Sequence, residues 1–345
     1  MVLICLRELC VSVVKFFGFL TVIETTYREA LGLALRYAMM EDPTIVIIGE
    51  EVGAYGGAYG VTKGLLQEFG KERVIDSPIS EAGFVGAAVG AAMSGLRPVA
   101  ELMYVDFSGI AMDQIANQAA KIRYMFGGQM GVPMVLRTQG GTGRSAAAQH
   151  SQSLEGWFLQ VPGLRVALPG TVSDAYHLLR ASLRQPDPVV FIEHKALYVQ
   201  KGKLDPTQAD ASWGRAVVRR LGQQVTVVTY SRMLNYALAA AENAAGHGVE
   251  AEVIDLRTLN PLDLETVGDS VMKTGRAIVV TEACLTGGPA AEISARIQEE
   301  CFDFLEEPIV RIAGEDVPIP VAPALEINSV PTVDLITEVI KKLVR

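Results

Sequence analysis

Residues 74–104 read VIDSPISEAGFVGAAVGAAMSGLRPVAELMY, and their pattern decides the fold class. The apolar pair Val74–Ile75 predicts a short strand, Ala82–Gly95 predicts a helix, and Val99–Tyr104 predicts a second strand. A strand, a helix and a strand within about 30 residues form the unit that places two strands parallel in one sheet.

The same alternation continues on both sides of this unit. Thr26 and Glu29 form a capping box at the start of a helix that runs to Met40. Further strands are predicted at Thr44–Ile48, Pro133–Thr138, Leu164–Leu168 and Val189–Glu193, and further helices at Ala111–Phe126 and Val172–Arg184. Such alternation is typical of α/β proteins, in which helices cover both faces of a largely parallel sheet.

A polar segment, KGKLDPTQADAS at 201–212, interrupts the alternation and is predicted to be a linker. Beyond it, strands at Gln224–Tyr230, Glu250–Leu256, Ala277–Thr281 and Ile309–Ile312 alternate with helices at Leu234–Ala245, Ala290–Cys301 and Val333–Leu343. We therefore expect an α/β protein with two tandem domains and mainly parallel sheets, at 22–200 and 213–345.

Composition excludes several classes of protein. The net charge of -9 argues against a nucleic-acid partner, because phosphate binding needs a basic face. Residues 1–21 are apolar, but Arg7, Glu8 and Lys15 interrupt them, which argues against a secretory signal and against a membrane span. We interpret them as an extension outside the folded domains. The four cysteines lack metal or disulfide spacing, which favours a reduced protein of the cytoplasm.

The helix predicted at Ala82–Gly95 is unusually rich in small residues. They form two rows at four-residue spacing: Ala82, Gly86 and Gly90 in one, and Gly83, Ala87, Ala91 and Gly95 in the other. Because each glycine costs a helix about 1 kcal/mol relative to alanine, the rows indicate close approach of another backbone. That backbone belongs either to another subunit or to the chain itself.

Four polar or glycine-rich segments follow predicted strands. They are GEEVGAYGGAYG at 49–60, SPISE at 77–81, YVDF at 104–107 and QGGTGRSAAAQHSQS at 139–153. In open parallel sheets, ligands bind at the carboxyl ends of the strands, so these segments are the expected site.

Three side chains in these segments are candidates for chemistry. His150 lies in a polar loop, where it either acts as a general acid or base or serves only as a structural hydrogen-bonding group. Glu81 opens a helix, a place that also favours a carboxylate through the helix dipole alone. Glu50, beside Glu51, is either part of the site or of a solvated acidic turn.

Together these motifs resemble one family, the beta subunits of the thiamine diphosphate-dependent pyruvate, branched-chain 2-oxo acid and acetoin dehydrogenases. The resemblance extends from about Thr25 to the C-terminus. The similar stretches are GEEV at 49–52, GAYGVTKGL at 57–65, DSPISEAGFVGAAVGAAMSGLRP at 76–98, DQIANQAAKIRYMFGG at 113–128, AAQHSQS at 147–153, PGLRVALP at 162–169, EVIDLRTLNPLD at 252–263 and TEACLTGG at 281–288.

The resemblance implies a transketolase-like architecture, with a pyrimidine-binding domain followed by a transketolase C-terminal domain. It implies an enzyme that decarboxylates a 2-oxo acid or cleaves acetoin and passes the acyl unit to lipoyl groups. Pyruvate is the first candidate among the 2-oxo acids, and acetoin remains equally open. The alternatives are the C-terminal half of a split transketolase-type enzyme and a non-catalytic scaffold subunit.

The resemblance also assigns roles to single residues. Glu81 is implied to hydrogen-bond the aminopyrimidine ring of thiamine diphosphate, and His150 to exchange a proton near the reacting carbon. Phe107 is implied to pack on the aminopyrimidine, and Glu50 to lie in an acidic passage between paired sites. The residues implied to contact the cofactor are Glu50, Ile79, Ser80, Glu81, Met103 and Phe107.

One motif of related single-chain enzymes is missing. The sequence has a single Gly-Asp pair, Gly268-Asp269, without the following Gly and Asn-Asn that bind magnesium and diphosphate in those relatives. The resemblance therefore implies an alpha subunit that holds magnesium, a second beta subunit and a lipoyl acyltransferase as partners. It also implies a backbone potassium site at Ser182, Leu183, Gln185 and Asp187, although LRQPDP at 183–188 departs from the usual pattern.

Overall fold

The computed structural model describes residues 22–344, so the extension expected at residues 1–21 lies outside the described range. Within that range the chain forms two α/β domains with mainly parallel sheets, which confirms the predicted fold class. No helix in residues 22–344 is both long and apolar enough to cross a membrane.

Three sheets are built from fourteen described strands. In chain order they are β1 (Ile23–Thr26), β2 (Ile45–Glu50), β3 (Val74–Ser77), β4 (Arg97–Leu102), β5 (Val135–Gly140), β6 (Arg165–Ala167), β7 (Val189–His194), β8 (Lys201–Leu204), β9 (Val217–Arg220), β10 (Val225–Thr229), β11 (Ala251–Asp255), β12 (Thr258–Asn260), β13 (Ala277–Cys284) and β14 (Val310–Gly314). The first domain's seven-stranded sheet has the order β12-β6-β7-β5-β4-β2-β3, and the second domain's five-stranded sheet has the order β14-β13-β10-β11-β9.

Twelve α-helices lie in residues 22–344. They are α1 (Tyr27–Glu41), α2 (Leu65–Phe69), α3 (Glu81–Met93), α4 (Ser108–Met112), α5 (Ile122–Met125), α6 (Glu155–Leu159), α7 (Val172–Leu183), α8 (Met233–Ala245), α9 (Leu264–Thr274), α10 (Pro289–Cys301), α11 (Pro323–Glu326) and α12 (Val333–Leu343). The capping box predicted at Thr26 and Glu29 is present at the start of α1.

Helices cover both faces of the first sheet. Since successive residues of a strand point to opposite sides, each strand contributes side chains to a hydrophobic cluster on each face. On β4, Val99 packs into the cluster that contains the buried faces of α1 and α7. The next residue, Ala100, and Leu102 pack into the cluster that contains the buried face of α3. Burial on both faces explains why β2, beside β4, begins with four consecutive apolar residues, IVII at 45–48.

The predicted linker at 201–212 begins with a strand that the sequence did not reveal. β8 pairs antiparallel with β1, in the register Ile23 with Leu204 and Thr26 with Lys201. Only Leu204 of this strand is buried, so the strand lacks the apolar pattern that would have predicted it.

The single helix predicted at Ala111–Phe126 is wrong in detail. The chain forms α4, then a wider π-helical segment at Asp113–Ala119, and then α5. The Asn117 amide donates a hydrogen bond of 2.7 Å to the Asp113 carboxylate within this segment. Such π-helical turns are rare and often lie at functional sites.

The second domain contributes to the sheet of the first. β12 follows β11 and pairs antiparallel with β6, at the edge of the seven-stranded sheet. One hydrophobic cluster also contains buried residues of both domains, among them Phe158 and Leu168 from the first and Tyr230 and Leu256 from the second. The two domains therefore share a core.

Candidate active site

The carboxyl ends of six parallel strands form one edge of the seven-stranded sheet. Their registers align Glu50 of β2 with Ser77 of β3, and Gly140 of β5 with His194 of β7. β4 ends between β2 and β5, and Met103 and Tyr104 follow it. All four segments expected to form the site therefore leave the sheet at this edge.

Two carboxylates lie close together there. Glu50 is the last residue of β2, and Glu81 is the first residue of α3. Burial raises the pKa of Glu50, and the charges of Glu51 and Glu81 raise it further. Within residues 22–344 neither Glu50 nor Glu81 accepts a hydrogen bond through its side chain, so both can accept one from a ligand.

The turn that presents Glu81 is braced by the neighbouring loop. The Asp76 carboxylate accepts hydrogen bonds from the backbone amides of Gly53 (2.6 Å) and Ala54 (3.0 Å). A Cβ atom at position 53 would lie 2.9 Å from that carboxylate, so the loop needs glycine there. Ser80 and Ile79 follow in the exposed turn, and the Ile79 side chain is 74% exposed.

An aromatic corner, defined here as Tyr104, Phe107 and His150, forms the other part of the site. The His150 ring meets the rings of Tyr104 and Phe107 edge-on, with centroids 4.7 Å and 5.4 Å apart. Its ring nitrogens make no hydrogen bond in the part of the chain that the structure describes. Both nitrogens therefore remain available for a proton exchange with a ligand.

Tyr104 takes an unusual backbone conformation at this corner. Its φ of 65° and ψ of 130° lie in a region that side-chain-bearing residues rarely adopt. Its hydroxyl accepts a 3.3 Å hydrogen bond from the Tyr59 hydroxyl. Strained residues of this kind are found at active sites, where the surrounding structure holds them.

A buried lysine supports the aromatic corner and was missed from the sequence. Lys195 donates a hydrogen bond to the backbone carbonyl of His150, and its ammonium lies 5.3 Å from the centre of the Tyr104 ring. Burial lowers the pKa of Lys195 to about 8. The only signal in the sequence was its position directly after the β7 segment, at the same sheet edge.

The residues named for a potassium site have other partners. The carbonyls of Leu183 and Gln185 accept hydrogen bonds of 2.9 Å and 3.2 Å from Arg97. The Asp187 carboxylate pairs with Arg123 and Arg165, and the Ser182 hydroxyl donates to a carbonyl of its own helix. A potassium ion would have to share these oxygens with Arg97. In residues 22–344 no group of three His, Cys, Asp or Glu side chains is placed to hold a metal ion.

The small residues of α3 divide between the two sides of the helix. Phe84, Val85 and Ala88 face the core, whereas Gly83, Ala87 and Gly90 are exposed. A Cβ atom at Gly90 would meet nothing within 4 Å in the described chain. Gly90 is therefore not used for packing within residues 22–344, whereas a Cβ atom at Gly83 would lie 2.7 Å from the Ser80 hydroxyl and one at Gly86 would lie 3.1 Å from the Gln114 side chain.

Two domain families match the chain. The transketolase pyrimidine-binding domain matches residues 24–201, and the transketolase C-terminal domain matches residues 214–336. Among solved structures, a split-gene transketolase described as an inactive beta4 tetramer has a TM-score of 0.75 over 92% of this chain and 99% of its own. That protein is 22% identical, so the likeness concerns the fold alone.

Curated relatives are much more similar in sequence. The chain is 47% identical to "Pyruvate dehydrogenase E1 component subunit beta-2, mitochondrial" of Oryza sativa subsp. japonica, over 92% of this chain and 86% of that protein. It is 46% identical to "Pyruvate dehydrogenase E1 component subunit beta" of Rhizobium meliloti, over 92% of this chain and 69% of that protein. It is also 44% identical to "Acetoin:2,6-dichlorophenolindophenol oxidoreductase subunit beta" of Bacillus subtilis, over 91% of this chain and 96% of that protein.

Proposed function

The chain belongs to the transketolase-like family of pyruvate and acetoin dehydrogenase beta subunits, and we propose that with an alpha subunit it forms a thiamine diphosphate-dependent dehydrogenase. The assembly oxidises a 2-oxo acid or acetoin and passes the acyl unit to a lipoyl group. The observation that carries the proposal is the single sheet edge at which Glu50, Glu81 and the aromatic corner meet.

The residues at this edge fit the pyrimidine half of thiamine diphosphate. Glu50 and Glu81 offer carboxylates that accept no hydrogen bond within residues 22–344, Phe107 offers a half-buried ring, and Ile79 an exposed apolar side chain. Ser80 lies between Ile79 and Glu81, and Met103 lies in the segment after β4 that leads to Phe107. When bound, the cofactor supplies a nucleophilic carbon and an electron sink for cleavage beside a carbonyl.

Each residue of the chain has a role in this proposal. Glu81 holds a proton at the pyrimidine ring nitrogen, which a carboxyl group does well in partly desolvated surroundings. Glu50, with its raised pKa, takes up a proton more readily and so limits the negative charge beside Glu81. His150 gives or takes a proton at the substrate, and the Phe107 ring excludes water from the pyrimidine face.

The diphosphate and magnesium are bound by the alpha subunit. In this chain Gly268-Asp269 lies inside helix α9 and not in a loop after a strand, so it is unsuited to holding a phosphate group. The potassium site stays a prediction, because Arg97 already donates to two of its carbonyls.

The same proposal includes an assembly of two alpha and two beta chains that meets a lipoyl acyltransferase. Its support is three exposed small residues of α3, Gly83 and Ala87 from one row and Gly90 from the other, together with exposed Tyr124 (88%) and Met125 (70%) after the π-helical segment. Small residues let backbones approach closely, and large exposed apolar side chains often mark subunit contacts. The unpaired thiols of Cys284 and Cys301 support a reducing compartment, which we propose is the cytoplasm.

Reconstitution with the alpha subunit tests the function. Pyruvate, a branched-chain 2-oxo acid and acetoin would each be supplied with an artificial electron acceptor and then with a lipoylated acyltransferase. We expect turnover of at least one of them by the assembly and none by the chain alone. Ketol transfer without use of lipoyl groups would favour the split transketolase. An assembly that turns over nothing would favour the scaffold subunit.

A further inference from the structure

The loop that carries His150 is held by carboxylates of the second domain. Glu326, at the end of α11, is 4% exposed. Its carboxylate accepts hydrogen bonds from the backbone amides of Gly143 (2.8 Å) and Ser145 (3.1 Å), and from the Ser145 hydroxyl (3.4 Å). These bonds span more than 180 residues of sequence.

The loop needs such support because of its backbone. Gly141, Gly143, Ser145 and Ala147 all have positive φ angles, of 85°, 91°, 51° and 63°. Ser145 and Ala147 carry side chains that disfavour this conformation. Conformations of this kind persist only where surrounding contacts hold them. In the middle of the loop, the Glu326 carboxylate supplies such contacts at Gly143 and Ser145, and the Arg144 guanidinium donates a weaker bond of 3.4 Å to the Lys195 carbonyl.

A second carboxylate holds the start of the loop. Glu282 lies near the end of β13. Its Oε1 accepts a 2.6 Å hydrogen bond from the Thr142 amide, and its Oε2 lies 2.9 Å from Nε2 of His194. Burial acts to raise the pKa of Glu282, but His194, Arg232 and the Thr142 amide outweigh burial and hold that pKa at about 2. The ion pair with His194 and the contacts with Arg232 and the Thr142 amide thus favour the ionised form of Glu282.

We propose that Glu326 is a positioning residue for His150. By holding the Gly143 and Ser145 amides it sets the path of residues 141–150, and so it sets where the His150 ring faces Tyr104 and Phe107. The second domain thereby takes part in the chemistry of the first without touching the substrate. This inference rests on the proposed function, in which His150 exchanges a proton with the substrate.

The test uses the alpha–beta assembly with Glu326→Ala, Glu326→Gln and His150→Ala, and the double variant of Glu326→Ala with His150→Ala. His150→Ala should lower lipoyl-dependent turnover by about 100- to 10,000-fold. Glu326→Ala should lower it by about 10- to 100-fold, because small displacements of a catalytic group are costly. The double variant should lose no more than His150→Ala alone, since both changes remove the same contribution.

Amide hydrogen exchange of residues 141–150, measured by mass spectrometry, provides a readout independent of activity. Exchange should become faster in Glu326→Ala. Glu326→Gln should restore most of the protection and the turnover, because its remaining oxygen can still accept from Gly143 and Ser145. Glu307→Ala removes an exposed carboxylate of the same domain and should change neither readout. If Glu326→Ala does not assemble, Glu326→Asp withdraws the carboxylate by one methylene and replaces it in the comparison.

Three outcomes separate this inference from the function on which it rests. Wild-type turnover in Glu326→Ala, with an impaired His150→Ala, overturns the positioning role and leaves the proposed function intact. Losses that multiply in the double variant also overturn it. Wild-type turnover in His150→Ala instead contradicts the proposed role of His150.

Discussion

Glu155, the first residue of α6, is a buried acid beside the domain junction. Its carboxylate accepts a 2.8 Å hydrogen bond from the Tyr230 hydroxyl and forms no ion pair within residues 22–344. Burial raises the pKa of Glu155 from its ordinary value of 4.5 to about 7. The folded chain therefore binds this proton more tightly than the unfolded chain does.

The raised pKa of Glu155 predicts a pH dependence of stability. A raised carboxyl pKa contributes stability that is complete below pH 4.5 and is lost as the pH rises through about 7. The free energy of unfolding of wild type should thus fall by roughly 3 kcal/mol relative to that of Glu155→Gln between about pH 4.5 and about pH 8, since one pKa unit is worth about 1.4 kcal/mol. Thermal unfolding of both chains across this range measures the difference. Glu307→Gln, at an exposed position, should follow wild type, and a pH-independent difference at Glu155 would contradict the prediction.

At the residue scale, sequence reasoning proposed the groups expected to face a ligand and missed the groups that hold the loop of His150. Glu81, Phe107 and His150 were identified because they lie in recognisable motifs after predicted strands. Lys195 and Glu326 have no such context, and their partners lie 45 and about 180 residues away. Contacts between distant segments are set by tertiary packing, which no local pattern encodes.

A network of ion pairs joins elements of the two domains. Asp174 at the start of α7 pairs with Arg219 of β9 and lies 3.3 Å from a guanidinium nitrogen of Arg257. Arg219 also pairs with Asp255 of β11 at 2.9 Å. Burial raises the pKa of Asp255 and the neighbouring Asp174 charge raises it further, whereas the arginines oppose the shift. Arg219 thus separates two carboxylates that would otherwise repel each other.

Removal of Arg219 should therefore destabilise the junction between the domains. Arg219→Met leaves two buried carboxylates with one arginine fewer. Removing one partner of a buried ion pair lowers the free energy of unfolding by about 3 kcal/mol. Arg296→Met breaks an exposed pair with Glu299 and should cost less than about 1 kcal/mol. Chemical denaturation of both variants measures the contrast. Equal stabilities would show that the network does not hold the domains together.

At the element scale, length and apolar pattern decided what could be predicted. The long buried strands and α1, α7 and α8 were predictable from their periodicity. β8 and β12 have only four and three residues and too few apolar side chains for a pattern. Helix α9 was missed although Asp263 caps its start and Gly275 ends it. Those two signals were present in the sequence.

At the scale of the whole molecule, the chain is a two-domain unit with a shared core. The tandem domains were predictable from the alternation of strands and helices. The contribution of β12 from the second domain to the sheet of the first was not predictable. Thr258–Asn260 follows β11 directly, and its pairing with β6 arises only from packing. In the proposed function, this sheet edge holds the pyrimidine end of the cofactor and the alpha subunit holds the other end.

The most direct test of this account is hydrogen–deuterium exchange at the thiazolium carbon of thiamine diphosphate, followed by proton NMR. The samples are the chain alone, the wild-type alpha–beta assembly, and assemblies with Glu81→Gln or with the exposed control Glu72→Gln. We predict accelerated exchange in the wild-type and Glu72→Gln assemblies and none with the chain alone. In the Glu81→Gln assembly exchange should be slower by about 100-fold or more, because glutamine cannot share a proton with the pyrimidine ring. Equal exchange in the wild-type and Glu81→Gln assemblies, or accelerated exchange by the chain alone, would contradict the account.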